Sequence, residues 1–544
     1  MVIHSKYPPI QEPTGGVLQF LFSNPRRVPE DRPVLVDALS GKFITLAGLK
    51  RDVGRFAAGL QDVLQFQKGD VLALYAPNLV DYSVPLFGTV AAGGTTSTAN
   101  PTYTPQELAH QLEDVNAKIL IAHPLNLDSA LKAAEMVGLP KNRVFIFGEK
   151  AVNGIQPYTR VFMGHRQAIP VELTKEEAKE TVAYLCFSSG TTGRSKGVMT
   201  THANITSNLL QLMPIEDSAI NSNVDRMIGL LPFFHMYGLF LMLHAALYWG
   251  IPVFVMPRFD LVQFCETVHK YKITYAPLVP PILVLLAKDP LVAKYDLSSI
   301  ATIVSGAAPL GADLAKQVIA RFPHLRIKQA YGMSEVSPAA TLEPNDCIIA
   351  GSVGPLFPSM VAKIVNEDGQ EVGPNQRGEL WLKGPNVMKG YINNAEATAA
   401  CIDAEGYFHT GDVVYVDDNG HFFVVDRVKE LIKYKGFQVP PAELESILLE
   451  SPLVADCAVI GIHDEEQQTE LPCAYVVLNP GVSRSNETRE KIKKVVADQV
   501  AHYKHLRIVR FVDVIPKSPS GKILRRILRD QANEEKARSE KAKL

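Results

Sequence analysis

The decapeptide that ends at Gly197 combines hydroxyls, glycines and one lysine directly after an apolar run. Glycines let backbone N–H groups approach an anion, hydroxyls donate further hydrogen bonds, and lysine supplies a mobile positive charge. The Walker motif differs, because four residues separate its first glycine from a Gly-Lys-Ser/Thr triplet. The segment therefore predicts a phosphate-binding loop, with a flexible linker as the alternative. Its candidate ligands are Ser188, Ser189, Gly190, Thr191, Thr192 and Lys196.

Four further clusters carry groups that suit nucleotide chemistry. Small residues at 305–309 follow a buried strand and leave room for a planar ring. The segment 331–335 offers a tyrosine ring, a serine hydroxyl and a carboxylate suited to Mg²⁺. Asp412 follows a Thr-Gly turn and could accept ribose hydroxyls, and Lys522 lies on a proline-bearing loop from which it could reach an anion. Each cluster alone could equally be an ordinary turn or an exposed loop, so only their combination indicates a nucleotide site.

Composition indicates a soluble globular protein of several domains. A length of 544 residues predicts two to four domains, and 47% hydrophobic with 21% charged residues is usual for such a chain. A net charge of -2 provides no general attraction to nucleic acid. The apolar segment 236–256 contains Gly250 and Pro252, so it predicts a buried helix, a turn and a buried strand rather than a membrane span.

The cysteines and the two chain ends bear on compartment. The cysteines form no CxxC pair and predict neither a zinc site nor a disulfide framework; they are Cys186, Cys265, Cys347, Cys401, Cys457 and Cys473. Residues 1–13 lack the basic head and apolar core of a signal peptide. The chain ends in Ala542-Lys543-Leu544, which is one residue from the peroxisomal Ser-Lys-Leu address. This tripeptide predicts binding to a peroxisomal import receptor, with a cytoplasmic location as the alternative.

The order of elements predicts an α/β fold. Short apolar runs alternate with helical patterns from residue 71, which indicates parallel sheets covered by helices. The runs are 71–75, 118–122, 143–147, 184–187, 226–231, 253–256, 273–278 and 300–304. Turn-rich segments at about 350–426 predict an antiparallel or barrel-like part, and an α+β domain with a helix from Ala442 should follow. We expect domains at 1–428 and 429–528 and a charged tail at 529–544.

Taken in this order, the clusters resemble the adenylate-forming superfamily of acyl-CoA ligases, firefly luciferases and peptide-synthetase adenylation domains. The resemblance is closest to the 4-coumarate:CoA ligase-like members and spans about residues 15 to 528. It implies a large N-terminal domain of two α/β subdomains plus a β-barrel, and a small mobile C-terminal lid. It also implies ATP, Mg²⁺ and coenzyme A as reactants or cofactors, and Lys429 as the hinge on which the lid rotates.

The resemblance assigns roles to individual positions of this chain. The decapeptide would hold the ATP phosphates, Glu335 would bind Mg²⁺, and Lys522 would bridge the substrate carboxylate and the α-phosphate. The nucleotide would be held by Ala308, Gln329, Ala330, Tyr331, Ser334, Asp412 and Arg427. The pocket for the acyl group would comprise Tyr237, Ala308, Gln329, Ala330 and Leu342, with His235 beside the acyl group. After lid rotation, the residues near CoA would be Lys433, Lys435, Gly436, Gln438 and Arg258.

Two departures argue against a luciferase. Luciferases carry a second histidine before the shared one and an arginine twelve residues after the loop lysine, whereas this chain has Phe234 and Asn208 there. The expected reaction is therefore ATP-dependent ligation of a carboxylic acid to CoA, with acyl-adenylate and acyl-CoA formed in turn. The acid is expected to be an aryl-propenoate or a medium to long fatty acid. The alternatives are a luciferase-like monooxygenase, a non-catalytic acyl-adenylate binding protein, and a carrier-dependent synthetase module.

Overall fold

The computed structural model describes residues 1–188, 195–435, 437–464, 467, 469–519 and 521–541. Several predicted site residues lie outside this part of the chain. They are Ser189, Gly190, Thr191, Thr192 and Gly436, together with the C-terminal tripeptide Ala542-Lys543-Leu544.

The first of two large sheets carries the predicted phosphate-binding segment. Its five central and distal strands are parallel, and strands of this kind are buried on both faces, which explains their nearly continuous apolar sequences. Two antiparallel strands complete one edge. In spatial order the strands are Gly390–Tyr391, Lys196–Thr201, Val182–Ser188, Thr95–Ala99, Val71–Tyr75, Ile119–Ala122 and Val144–Ile146.

The second large sheet has eight strands and is parallel except at its two ends. Its strand order brings segments that are far apart in sequence to one edge, where the predicted adenine slot and acyl pocket lie. The strands are Ala339–Leu342, Arg326–Gly332, Thr302–Ser305, Tyr275–Leu278, Met227–Gly229, Val253–Val255, Pro33–Asp37 and Phe43–Thr45.

An antiparallel sheet of six strands forms the part predicted to be antiparallel or barrel-like. One of its strands comes from the extreme N-terminus, which the sequence patterns did not predict. The strands are Ile3–His4, Val361–Val365, Gly378–Lys383, Phe408–Val416, His421–Arg427 and Gly354–Pro355.

The C-terminal segment has its own small core. Buried Leu444, Val459, Val476 and Ile492 pack between its helices and its strands. The strands are Ile432–Tyr434 and Phe437–Val439 in a hairpin, and Val454–Asp464, Thr469–Leu478 and Ile508–Phe511 in a sheet. The helices are Pro441–Glu450, Asn486–Ala497 and Arg525–Lys541.

Helices cover the large sheets, and several have well-formed N-termini. Thr45 accepts the Gly48 N–H at 3.0 Å and caps the longest of these helices, which buries one apolar face. The α-helices of this part are Val17–Phe22, Leu46–Leu64, Ser83–Ala91, Pro105–Asp114, Leu127–Met136, Tyr158–Val161, Lys175–Glu180, His202–Glu216, Met236–Gly238, Ala246–Trp249, Leu261–Tyr271, Pro280–Lys288, Ala312–Arg321 and Ala395–Ala399.

The apolar segment 236–256 is a buried helix, a turn and a strand, as its sequence predicted. Its central part, Leu239–Ala245, is a π-helix, in which His244 Nδ1 lies 2.9 Å from the Leu239 carbonyl. His244 Nε2 lies 2.8 Å from Tyr184 Oη, and burial lowers the pKa of this histidine to about 4. His244 is therefore neutral near pH 7, and its ring provides a hydrogen-bond partner for a carbonyl of the π-helix. Among the described residues, no helix combines the length and the apolar character that crossing a membrane requires.

The α/β fold class is thus confirmed, and each of the eight predicted apolar runs overlaps an observed strand. All six cysteines carry free thiols. The main hydrophobic core joins the two large sheets, so the edges that carry the site residues belong to one packed unit.

Candidate active site

The ends of one β-hairpin carry Ser188 and Lys196. Ser188 ends its strand and Lys196 begins the next, and the two residues pair directly in the antiparallel ladder. The ammonium of Lys196 lies 4.8 Å from the centroid of the Tyr391 ring. Tyr391 in turn donates its hydroxyl to Glu335 Oε1 at 2.8 Å. The predicted phosphate lysine and the predicted metal carboxylate are therefore linked through one aromatic side chain.

Tyr391 is a site residue that the sequence patterns did not reveal. It lies on a two-residue strand whose partners are Val198 and Met199, and it is buried. Its surroundings in sequence contain no glycine-rich or acidic cluster, so no local signal distinguishes it from a core tyrosine. Only the pairing of distant strands places it between Lys196 and Glu335.

The predicted ribose ligands form a second linked group. Asp412 and Arg427 are opposite each other on neighbouring antiparallel strands, and Arg427 Nε lies 3.1 Å from Asp412 Oδ1. Tyr331 donates its hydroxyl to Asp412 Oδ2 at 2.7 Å. Burial raises the pKa of the Asp412 carboxyl, and the charge of Arg427 opposes this rise. Strand pairing therefore holds a buried carboxylate with two bound donors beside the predicted base-stacking ring.

Lys522 reaches this group from the C-terminal segment. Burial and, second to it, the nearby charge of Arg427 lower the pKa of its ammonium to about 8, whereas Asp412 and Glu335 oppose the shift. Lys522 also acts on His235, whose pKa is lowered to about 4 mainly by burial. The structure thus brings the predicted lid lysine together with the predicted ribose and metal ligands.

Close contacts accompany this arrangement of the C-terminal segment. Gly521 has a φ of +79°, and a Cβ at this position would lie 3.1 Å from Val279 Cγ2. Glycine is therefore favoured here both by backbone conformation and by the approach of a neighbouring side chain. Lys288 Nζ also donates to the Leu449 carbonyl at 2.8 Å. The Lys522 loop is consequently docked against the N-terminal part of the molecule.

The predicted acyl pocket lies at the edge of the eight-stranded sheet. His235 Nδ1 accepts the Tyr237 N–H at 3.3 Å, and Tyr237 donates its hydroxyl to the Val304 carbonyl at 3.1 Å. A Cβ on Gly306 would lie 3.1 Å from Tyr237 Cε1, so the absence of a side chain at 306 admits the ring. The next residue, Ala307, has a φ of +68°, an uncommon conformation for alanine that is often found at functional sites.

The other predicted pocket residues lie on the adjoining strands. Ala330 and Leu342 pair directly across the antiparallel edge of the sheet. Gln329 Oε1 accepts the Leu310 N–H at 3.3 Å, and Ala308 is half-buried in the turn before it. These positions and Tyr237 therefore surround one edge of the sheet, as expected for a common pocket.

The residues predicted to contact CoA do not join this buried group. Lys433 and Gln438 pair with each other in the hairpin of the C-terminal segment, and both side chains are exposed. Lys435 lies exposed in the turn of that hairpin, and Arg258 is exposed after the strand Val253–Val255. Lys429 is exposed in the turn before the hairpin. Their roles toward CoA and in lid rotation stay predictions.

The two positions that differ from luciferases have structural partners. Asn208 donates to the Ala339 carbonyl at 2.8 Å and accepts the Ala339 N–H at 3.3 Å. It also donates to Gln211 Oε1 at 3.0 Å. The carbonyl of Phe234 accepts the Thr98 hydroxyl at 2.7 Å. Asn208 therefore binds the backbone of the strand Ala339–Leu342 next to the acyl pocket, so its side chain is not available to bind a ligand in this arrangement.

Comparison with known proteins identifies the family. Residues 21–392 match the model of AMP-binding enzymes, and residues 443–522 match that of the AMP-binding enzyme C-terminal domain. A probable 4-coumarate–CoA ligase 1 of Dictyostelium discoideum is 40% identical and is aligned over 97% of each chain. The 4-coumarate–CoA ligase 1 of Petroselinum crispum is 38% identical over 97% of this chain and 96% of its own. The crystal structure of ATP-bound MatB from Rhodopseudomonas palustris is similar with a TM-score of 0.82 and 29% identity, covering 95% of this chain and 98% of that one.

The chain belongs to the AMP-binding, adenylate-forming enzyme family. The predicted resemblance is therefore confirmed. Within that family it is an acid–thiol ligase, a class in which a carboxylic acid is activated with ATP before it is joined to a thiol.

Proposed function

We propose that this enzyme is an ATP- and Mg²⁺-dependent carboxylic acid:CoA ligase that acts on aryl-propenoates or on medium to long fatty acids. The observation that carries the proposal is the burial of Lys522 beside Arg427, Asp412 and Glu335. An ammonium group therefore lies next to the predicted nucleotide ligands. Two of the relatives named above, a probable 4-coumarate–CoA ligase and a 4-coumarate–CoA ligase, support CoA as the acceptor and an aryl-propenoate as the acid.

In the first half-reaction, a carboxylate oxygen of the acid attacks the α-phosphorus of ATP. The bond between that phosphorus and the bridging oxygen breaks, and pyrophosphate leaves. Negative charge accumulates on phosphate oxygens, which the ammonium groups of Lys522 and Lys196 can stabilise. Loss of one such preorganised contact costs about 3 to 4 kcal/mol in the transition state, or roughly a hundred- to a thousandfold in rate.

In the second half-reaction, the CoA sulfur attacks the acyl carbonyl carbon and AMP leaves. In the docked arrangement Lys522 is buried beside the predicted ribose and metal ligands, so in the proposed mechanism it would have to withdraw before the pantetheine arm enters. Rotation of the C-terminal segment about Lys429 would remove Lys522 and bring Lys433, Lys435 and Gln438 toward the site. His235 is neutral near pH 7 because its pKa is about 4, so it can lie beside the acyl group without adding charge.

Glu335 fits the proposed magnesium ion. The residue is buried, and its Oε1 already accepts the Tyr391 hydroxyl. Magnesium commonly takes one or two protein carboxylates and completes its shell with phosphate oxygens and water. When bound, the ion would supply positive charge to the phosphates. Pyrophosphate release should stop after chelation and return with added Mg²⁺, and Glu335→Gln should need a higher Mg²⁺ concentration.

The proposed location is the peroxisome, and only the C-terminal tripeptide supports it. A fluorescent fusion that keeps the tripeptide at its C-terminus should enter peroxisomes, and deletion of residues 542–544 should leave it in the cytoplasm. Cytoplasmic fluorescence of the intact fusion would overturn this part of the proposal.

Pyrophosphate release from the purified enzyme tests the ligase. Cinnamates, phenylacetates and C6 to C18 fatty acids would each be supplied with ATP and Mg²⁺. Lys522→Ala should lose adenylation yet still convert a supplied acyl-adenylate and CoA to the thioester. Lys493→Ala, on the helix Asn486–Ala497 of the same segment, is the matched control and should keep both activities. Absence of pyrophosphate with every acid would overturn the proposal, whereas light emission with an adenylated luciferin would favour the monooxygenase alternative.

A further inference from the structure

The predicted ribose ligand Asp412 lies on an irregular stretch of the six-stranded antiparallel sheet. Its strand, Phe408–Val416, pairs with the strand Gly378–Lys383, and the register shifts partway along the pair. At this shift a single residue, Leu380, faces the three residues 410–412. Extra residues of this kind form a β-bulge, which bends a strand and can re-aim a side chain beside an active site. The bulge 410–412 therefore determines where the Asp412 carboxylate points.

Two side chains hold the backbone of this bulge, because a bulge removes backbone groups from the regular ladder and these groups need other partners. Gly411 has a φ of +70°, outside the range of a regular strand. Its N–H donates to Glu379 Oε1 at 2.9 Å. The Thr410 hydroxyl donates to the Leu380 carbonyl at 2.7 Å and accepts the Asp412 N–H at 3.1 Å. Glu379 and Thr410 therefore fix the bulge from the two paired strands.

The carbonyl of the same glycine connects the bulge to the other predicted ribose ligand. The Gly411 carbonyl accepts the Val428 N–H at 2.9 Å. Val428 directly follows Arg427, whose Nε lies 3.1 Å from Asp412 Oδ1. Through Gly411, Glu379 therefore fixes the bulge relative to Arg427 as well as to its own strand.

The contacts of Glu379 indicate that it acts through this bulge. Among the residues that the structure describes, its side chain forms a hydrogen bond with the Gly411 N–H and with no predicted nucleotide ligand. A hydrogen bond to a carboxylate is stronger than one between neutral groups, and an unpaired N–H in a partly buried site is costly. Without the Glu379 acceptor, Gly411 would turn toward another partner and carry the next residue, Asp412, with it.

We propose that Glu379 is a positioning residue for adenylation, which holds the bulge 410–412 so that Asp412 faces the ribose hydroxyls of ATP. The inference rests on the proposed ligase function and on the predicted role of Asp412. A site built to bind a hydroxyl rejects an analogue without it, because a buried polar group is then left unpaired. Glu379 therefore sets how strongly the enzyme distinguishes ATP from a nucleotide that lacks the ribose hydroxyls.

The test compares ATP with 2′,3′-dideoxy-ATP, which lacks both ribose hydroxyls, in pyrophosphate release with the acid that the wild-type enzyme uses best. The ratio of the two kcat/KM values should favour ATP by about a hundredfold or more in the wild-type enzyme. Glu379→Ala should lower this ratio by about tenfold, because the Asp412 carboxylate no longer faces the hydroxyls. The loss should appear in the KM for ATP, and the KM for the acid should stay unchanged.

Two conservative variants separate the reach of the side chain from its charge. Glu379→Gln keeps the length and an acceptor oxygen, so the ratio should stay within about threefold of the wild-type value. Glu379→Asp keeps the charge but is one methylene shorter, so it should lower the ratio as Glu379→Ala does. Glu405→Ala removes an exposed ion pair with Lys363 on the same sheet and is the matched control, which should change neither ratio nor KM. The Gln and Asp variants also decide the question if Glu379→Ala does not fold.

A double-mutant cycle tests whether Glu379 acts through Asp412. In the Asp412→Ala background the preference for ATP should already be lost, and Glu379→Ala should change the ratio by less than about twofold. A further loss in that background would indicate a general structural role and overturn the inference. An unchanged ratio in folded Glu379→Ala, loss of the preference in Glu379→Gln but not in Glu379→Asp, or a wild-type enzyme that uses both nucleotides equally would also overturn it.

Failure of the ligase itself is distinguishable from failure of this inference. Absence of pyrophosphate with every acid would overturn the proposed ligase function. Calorimetric binding of AMP and 2′,3′-dideoxy-AMP to the same variants would then still test Glu379, because the ratio of the two dissociation constants should follow the same order. Equal ratios in the wild-type protein and Glu379→Asp would overturn the inference by this measurement too.

Discussion

Raising the pH through 8 should slow the first half-reaction and spare the second. Burial and the charge of Arg427 lower the pKa of Lys522 to about 8, so its ammonium is the dominant form below that pH. A single site with this pKa is about 90% charged at pH 7 and about 10% charged at pH 9. Because a neutral amine cannot stabilise charge on the phosphate oxygens, kcat/KM for adenylation should fall roughly tenfold over this range.

The assay separates the two half-reactions. Pyrophosphate release is followed at limiting ATP, because kcat/KM reports the pKa of the free enzyme. Thioester formation is followed from a supplied acyl-adenylate and CoA. This second rate should be level or rise with pH, because more of the thiol is ionised as pH approaches its usual pKa of about 8.5.

Lys522→Arg provides the decisive control. A guanidinium stays charged throughout this range, so the fall above pH 8 should disappear even if the absolute rate is lower. Persistence of the same fall in this variant would show that another group titrates. An equal fall in thioester formation would show that Lys522 is not specific to adenylation, and either result would refute the reasoning.

Three substitutions test other contacts of the site. Tyr391→Phe keeps the ring beside Lys196 but removes the hydrogen bond to the Glu335 carboxylate. The transition state for adenylation should lose about 2 kcal/mol of stabilisation, which is roughly thirtyfold in kcat/KM. A wild-type kcat/KM would exclude a role for that hydroxyl. Gly521→Ala adds a Cβ at a residue of positive φ, 3.1 Å from Val279 Cγ2. The rate of adenylation should fall, whereas the rate of thioester formation from acyl-adenylate should persist. Equal loss of both rates would indicate misfolding instead. Asn208→Ala removes two hydrogen bonds to a strand and should lower the free energy of unfolding by about 2 kcal/mol in denaturant melts, with unchanged stability as the contrary result.

The local parts of the fold could be predicted from sequence. Runs such as Val71–Tyr75 are buried on both faces and bounded by helical patterns, so their composition alone indicates parallel strands. The antiparallel sheet was likewise indicated by its turns, but its N-terminal strand, Ile3–His4, was not. Two residues carry too little periodicity to predict a strand, and their partner is Val361–Val365.

The candidate site could be predicted only as separate clusters. Asp412 and Arg427 stood out in sequence because of their neighbours and the family pattern, and the structure shows that strand register pairs them. The link through Tyr391 depends on contacts between distant segments, 56 residues apart for Glu335 and Tyr391. A tyrosine that joins two site residues resembles any core tyrosine in sequence, because its partners are not visible there.

Arg427 lies where the last strand before the C-terminal segment ends, only two residues before Lys429. The residue proposed to bind the ribose is thus part of the covalent connection on which the C-terminal segment is proposed to turn. If the nucleotide binds more tightly in one orientation of that segment, the bound nucleotide must favour that orientation by the same free energy. Nucleotide occupancy should therefore bias the direction of rotation, so that departure of AMP resets the enzyme for its next cycle.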